Sequence, residues 1–126
     1  MTLFEYLILA HLLGDWILQT EWQALNKRTS WLALGTHVVV YHALILAVIL
    51  WQDSPDRPII YAVVGVLALT HALLDRFTVV PLMRALRIVV KREPDRVLVL
   101  AVDQAIHVLL LGAAAYVVWQ SRVGGL

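Results

Sequence analysis

The chain has 126 residues, 61% of them hydrophobic, a mean hydropathy of +0.79, a formal net charge of +1 and no cysteine. A composition this apolar excludes an ordinary soluble domain. The missing cysteines exclude disulfides and thiolate metal sites, and the near-neutral charge argues against a nucleic-acid partner. Glu5, with no basic residue ahead of the first apolar stretch, makes that stretch a poor signal peptide.

Four apolar runs have spanning length, at about 3–22, 31–51, 59–79 and 96–119. They predict an all-α polytopic membrane protein, one domain over 1–126 built as a four-transmembrane-helix bundle. The first connection, 26–30, is polar and offers Ser30 as an N-cap. Residues of this connection and the preceding stretch, Glu21, Gln23, Asn26 and Lys27, read as a solvated helix end. The second connection, 53–58, carries two prolines and forms a turn. The third, about 80–95, holds Arg84, Arg87 and Lys91 on one helical face and reads as a short interfacial helix between helices 3 and 4, basic side toward lipid phosphates.

Basic residues concentrate in the first and third connections, at Lys27, Arg28, Arg84, Arg87, Lys91, Arg92 and Arg96. Those connections are therefore expected on the cytoplasmic side of the membrane, with both termini outside; Arg122 weakly opposes this. Trp22 and Trp31 would mark one interface, and Trp51, Tyr61, Tyr116 and Trp119 the other.

Inside the apolar runs stand three acid–histidine pairs: His11/Asp15, His71/Asp75 and Asp103/His107. Each is spaced i, i+4, so on a helix both members share a face. An unpaired charge at the centre of a span costs roughly 2.5–3.5 kcal/mol on insertion scales, so these groups must be paired, protonated or holding a cation. The pair order reverses in the fourth run, which runs in the opposite direction. His37 and His42 on the second run fall at the same depth. All of these groups therefore lie in one layer in the cytoplasmic half. A faint internal repeat relates Ala10-His11-x3-Asp15 to Thr70-His71-x3-Asp75.

Imidazoles and carboxylates converging from several helices suit a divalent metal of the Zn, Mn or Fe type. The candidate ligands are His11, Asp15, His37, His71, Asp75, Asp103 and His107. Asp15 and Asp103 are also the candidate catalytic acids or bases. Gln19 and Gln104 are placed to hold water or substrate. His42 has no acid at i±4 and reads as a hydrogen-bonded packing residue, while Arg76 is expected to snorkel to the interface.

The run from Ala10 to Trp22, followed by Asn26-Lys27, resembles the opening of the bacterial domain-of-unknown-function 3307 family of small integral membrane proteins. His37 and His42, then Thr70-His71 with Asp75, then Asp103-Gln104 with His107, continue that family's pattern in order. The resemblance implies a polytopic membrane protein whose signature residues are the polar ones above, and it implies no activity. The residues themselves point first to a metal-dependent hydrolase acting on an amphiphilic, lipid-like substrate. A transporter or channel subunit using the His/Asp pairs as a relay or cation site is the second expectation. Haem held between histidines, or a structural membrane partner without a ligand, are the others. Membrane lipids are the expected surroundings, and four short spans leave room for a homo-oligomer.

Overall fold

The computed structural model describes residues 1–77, 79–86 and 95–124. Among these, every regular element is helical: α1 Leu3–Leu12, a π turn Leu13–Ile17, α2 Glu21–Asn26, α3 Trp31–Gln52, α4 Pro58–Phe77, α5 Val80–Ala85 and α6 Arg96–Val123. Three of them, α3, α4 and α6, are long and apolar enough to cross a membrane. They match the second, third and fourth runs expected from the sequence. Ser30 caps α3, its hydroxyl accepting the Ala33 N–H at 3.3 Å, and α4 begins at Pro58 as the missing N–H there allows.

The first run is not one helix. α1 ends at Leu12 and passes into the π turn, closed by the Leu18 N–H donating to the Leu13 carbonyl at 2.8 Å. A fresh helix then starts at Thr20. Its hydroxyl accepts the Gln23 N–H while the Gln23 side chain accepts the Thr20 N–H, a reciprocal capping box. Close packing accompanies the irregularity at the π turn. A Cβ on Gly14 would stand 2.5 Å from Cδ2 of the buried Tyr41 ring, so glycine lets the π turn lie directly against α3.

α1, α3, α4 and α6 pack in a ring in which α1 touches α3 and α6, and α4 touches the same two. Neighbours run antiparallel: Tyr6 meets Trp51 while His11 meets Tyr41, and Phe4 lies beside Gly112 while His11 bonds Gln104. One half of the ring is an apolar core of Leu7, Ile45, Ile49, Ile60, Leu111 and Val118. The other half is where the polar side chains gather. Leu9, Val39, Leu69 and Leu109, all mid-helix, point outward and are exposed, as expected for a surface solvated by lipid rather than water.

α5 rests on the bundle by one side, with Pro81, Leu82, Arg84 and Ala85 exposed on the other. Val79 and Met83 are buried against Leu74, Val99, Val102 and Ile106, which fixes α5 to the bundle. Of the three basic residues expected on one face, Arg84 lies on α5, while Arg87 and Lys91 lie outside the described residues. At the opposite end, Arg122 bonds Asp53 Oδ2 at 2.8 Å and the Gln52 carbonyl at 3.0 Å. That ion pair ties the end of α6 to the α3–α4 turn and accounts for the one cation at that end of α6.

Candidate metal centre

Four side chains from three segments meet at one point. His37 Nε2 lies 3.2 Å from His71 Nε2, and each lies 3.3 and 3.2 Å, respectively, from Asp75 Oδ2. Asp15 Oδ1 completes the group at 3.3 Å from His37 Nε2 and 3.7 Å from His71 Nε2. The side chains are buried. Asp15 Oδ1 and Asp75 Oδ2 nevertheless lack a hydrogen bond of acceptable geometry: the ring nitrogens are close, but no N–H is aimed at them. Buried carboxylate oxygens are ordinarily satisfied, and an orphaned pair on one point is what a cation would explain.

The local sequence brings this about in three ways. On α4, His71 and Asp75 share a face one turn apart, and their donor atoms converge. On α3, His37 projects toward both. On the first segment the π turn carries Asp15 to the same place. His11 and Asp15 straddle the change from α to π and stay close, Nδ1 to Oδ2 at 3.5 Å.

The surrounding groups orient the four. Gln19 places its amide 3.1 and 3.2 Å from the two ring nitrogens of His37. Lys27 Nζ lies 2.9 Å from Asp75 Oδ1, leaving Oδ2 for the convergence point. Gln23 is buried and donates to Thr36 Oγ1 at 3.2 Å. Gln23 and Lys27 are thus not a solvated helix end. They fasten α2 to α3 and α4, and only Glu21 and the neighbouring exposed positions keep that character.

The remaining expected residues divide. His11 is buried and both ring nitrogens are engaged: Nε2 lies 3.0 Å from Gln104 Oε1, and Nδ1 lies 2.9 Å from the Tyr41 hydroxyl. An amide oxygen only accepts, so the network assigns the proton to Nε2 and makes Tyr41 the donor to Nδ1. His107 Nδ1 donates to the Asp103 carbonyl at 2.8 Å, and its Nε2 is buried without a partner. Donor atoms of Asp15, His71 and His107 lie within 4.8 Å of one another, a second metal-capable group sharing two members with the first; His37, His71 and Asp75 meet the same criterion. Asp103 belongs to neither group. Its Oδ2 is 3.7 Å from His107 Nδ1 and accepts the Gln104 amide at 3.4 Å.

His42 donates from Nδ1 to the Val38 carbonyl at 2.9 Å, as a packing histidine does, but its Nε2 is buried and unpartnered. Tyr41 was not singled out by its residue type, although at i+4 from His37 it had the spacing that the acid–histidine pairs have. Arg76 lies with its guanidinium 4.3 Å over the Trp31 ring, and its Nη1 is buried without a hydrogen-bond partner.

Trp16, Gln19, Lys27, Arg28, Asp103 and Gln104 line a cavity of about 320 Å³ that reaches Asp15 and Asp75. The buried donor set and this cavity define a helical protein with a candidate cation site at one end of its bundle. The chain belongs to the family described as Protein of unknown function (DUF3307), whose model matches residues 3–124. No curated protein and no solved structure gives a significant match.

Proposed function

We propose that the protein is a membrane metalloenzyme holding one divalent ion of the Zn, Mn or Fe type between His37, His71, Asp75 and Asp15, and that it hydrolyses an amphiphile. The observation that carries the reading is the set of donor separations, 3.2 and 3.3 Å among His37, His71 and Asp75. A tetrahedral ion with bonds of about 2.0–2.1 Å has donor–donor edges of about 3.3–3.4 Å. Two nitrogens and carboxylate oxygens suit a first-row divalent ion and are a poor set for calcium, which takes oxygen alone. In the bundle, α1 and the π turn, 10 and 5 residues, reach roughly 20 Å at about 1.5 Å per residue and form a short fourth membrane helix.

A bound ion would polarise the scissile group and make water a better nucleophile. The chain's own residues then have separate tasks. Gln19 orients His37, and Lys27 holds Asp75 with Oδ2 inward. Asp103 lines the cavity, is outside both donor groups, and is the carboxylate available to take a proton from water. Metal analysis of protein purified without added metal is the direct test. About one equivalent per chain, lost in His71→Ala and stripped by chelator, is expected. No stoichiometric metal, or full retention in His71→Ala, overturns the reading.

A second reading, a proton or cation relay, is favoured by one observation. A space of about 10 Å³ is lined by Tyr41, His42, His71 and His107, and His42 Nε2, His71 Nδ1 and His107 Nε2 are all buried and unpartnered. Proton flux into liposomes that falls in His42→Ala while metal content stays constant would select this reading.

A further inference from the structure

We infer that the cavity beside the His37–His71–Asp75 group seats a phosphate-bearing head group, and does so only when the metal is bound. The inference rests on the metal reading and names the substrate class for the same site.

Charge decides the condition. Three carboxylates reach the cavity, Asp15, Asp75 and Asp103, against two cations, Lys27 and Arg28. Formally the lining is one charge negative and repels an anion. A divalent ion makes it one charge positive. Lys27 is already held by Asp75 at 2.9 Å. Arg28 is exposed and has no ion-pair partner among the described residues, so its guanidinium is open to a new acceptor. A planar guanidinium beside a divalent ion is the arrangement that grips a phosphate through two parallel N–H···O bonds.

Shape decides the size. At about 320 Å³ the cavity is at the small end of ligand pockets, which run from about 300 to 1,000 Å³. It holds a head group and leaves any acyl chains outside. Trp16, Leu74 and Leu100 supply apolar lining, and Trp16 is exposed on the outer surface where chains would lie. Gln104 Oε1 already accepts from Trp16 Nε1 at 3.3 Å, which holds the indole at the cavity.

Calorimetric titration of the full-length protein in detergent tests this, with metal content measured on the same samples. The probes are inorganic phosphate, dihexanoyl phosphatidic acid and, as a phosphate-free control, dihexanoylglycerol. Metal-loaded protein is expected to bind a phosphate probe and not the control. Chelator-treated protein and metal-loaded Arg28→Gln are each expected to bind it at least about tenfold more weakly, with Arg28→Gln keeping its full metal content. Tighter binding of the lipid than of inorganic phosphate assigns the head group of a lipid, and equal affinities assign free phosphate. Metal-loaded protein that binds neither probe, or binds equally well in Arg28→Gln, overturns the inference and leaves the metal reading standing. Protein that takes up no metal fails at the earlier step and overturns both.

Discussion

Lys27 Nζ sits 2.9 Å from Asp75 Oδ1, a cation from the loop after α2 reaching the acid at the end of α4. Asp75 is buried and Lys27 mostly so, which makes this the one Lys–Asp contact in the described interior. Removing one member of a buried ion pair strands the other. Lys27→Met is therefore expected to lower stability by somewhat less than the roughly 3–5 kcal/mol typical of a fully buried pair, since Lys27 keeps some solvent contact. A bound metal would compensate the Asp75 carboxylate instead. Melting midpoints of wild type and Lys27→Met, with and without zinc, check this: the gap should shrink when zinc is present.

Gln19 donates no metal ligand but faces His37. Groups that orient a ligating histidine typically change metal affinity by about 10–100-fold when removed. Gln19→Ala is expected to weaken metal binding within that range while the stoichiometry at saturation stays at one. Competition titration against a chromophoric chelator measures it. An unchanged affinity would mean that the amide does not hold the ring.

Gly14→Ala brings a methyl to 2.5 Å from the Tyr41 ring. Tyr41 is buried between α1 and the apolar core, so it has little room to retreat. Overpacking of this kind costs about 1–3 kcal/mol. Tyr41 also donates to His11 Nδ1, so Tyr41→Phe should reproduce the loss of that bond without the crowding. Comparing the two variants by thermal denaturation separates them, with Gly14→Ala the more damaging.

At the other end of the bundle, burial alone would raise the Asp53 carboxyl, but Arg122, the Ser54 N–H and Arg57 hold it below the usual carboxylate range. A depressed value means the stabilisation is whole above the ordinary carboxylate pKa, near pH 4, and is lost as pH falls through the lower value of the folded chain. Asp53→Asn is expected to cost up to about 1 kcal/mol at neutral pH, the range of exposed pairs. The difference from wild type should close as acidification carries the folded-state carboxyl through its own, lowered titration. A difference that persists unchanged there would show that the ion pair is not its source.

The long helices were legible because apolar length, a serine cap and a proline start are local signals, and α3, α4 and α6 begin and end within a few residues of the expected positions. The layer of His and Asp was legible from spacing alone on α4, where the helix is regular. Asp15 was legible as a member of that layer too, but the π turn that carries it there, packed against Tyr41 of α3, was not. The break at Thr20 did carry a signal, Thr20 with Gln23 three residues on, which marks a helix start. Within an apolar run it was outweighed by hydropathy. Lys27 and Gln23 looked solvated because composition cannot tell a loop that folds back over α3 and α4 from one that faces water.

The π turn gives the first segment one residue more than an α-helix of the same reach. Each helical residue advances the chain by about 100° around the axis. Wound instead as ordinary α-helix, the same residues between Leu12 and Leu18 would carry everything after them round by about that angle. The cation-binding end of the molecule would then be undone by a change of phase, with no ligand altered, and its assembly depends as much on how the residues there are wound as on their identity.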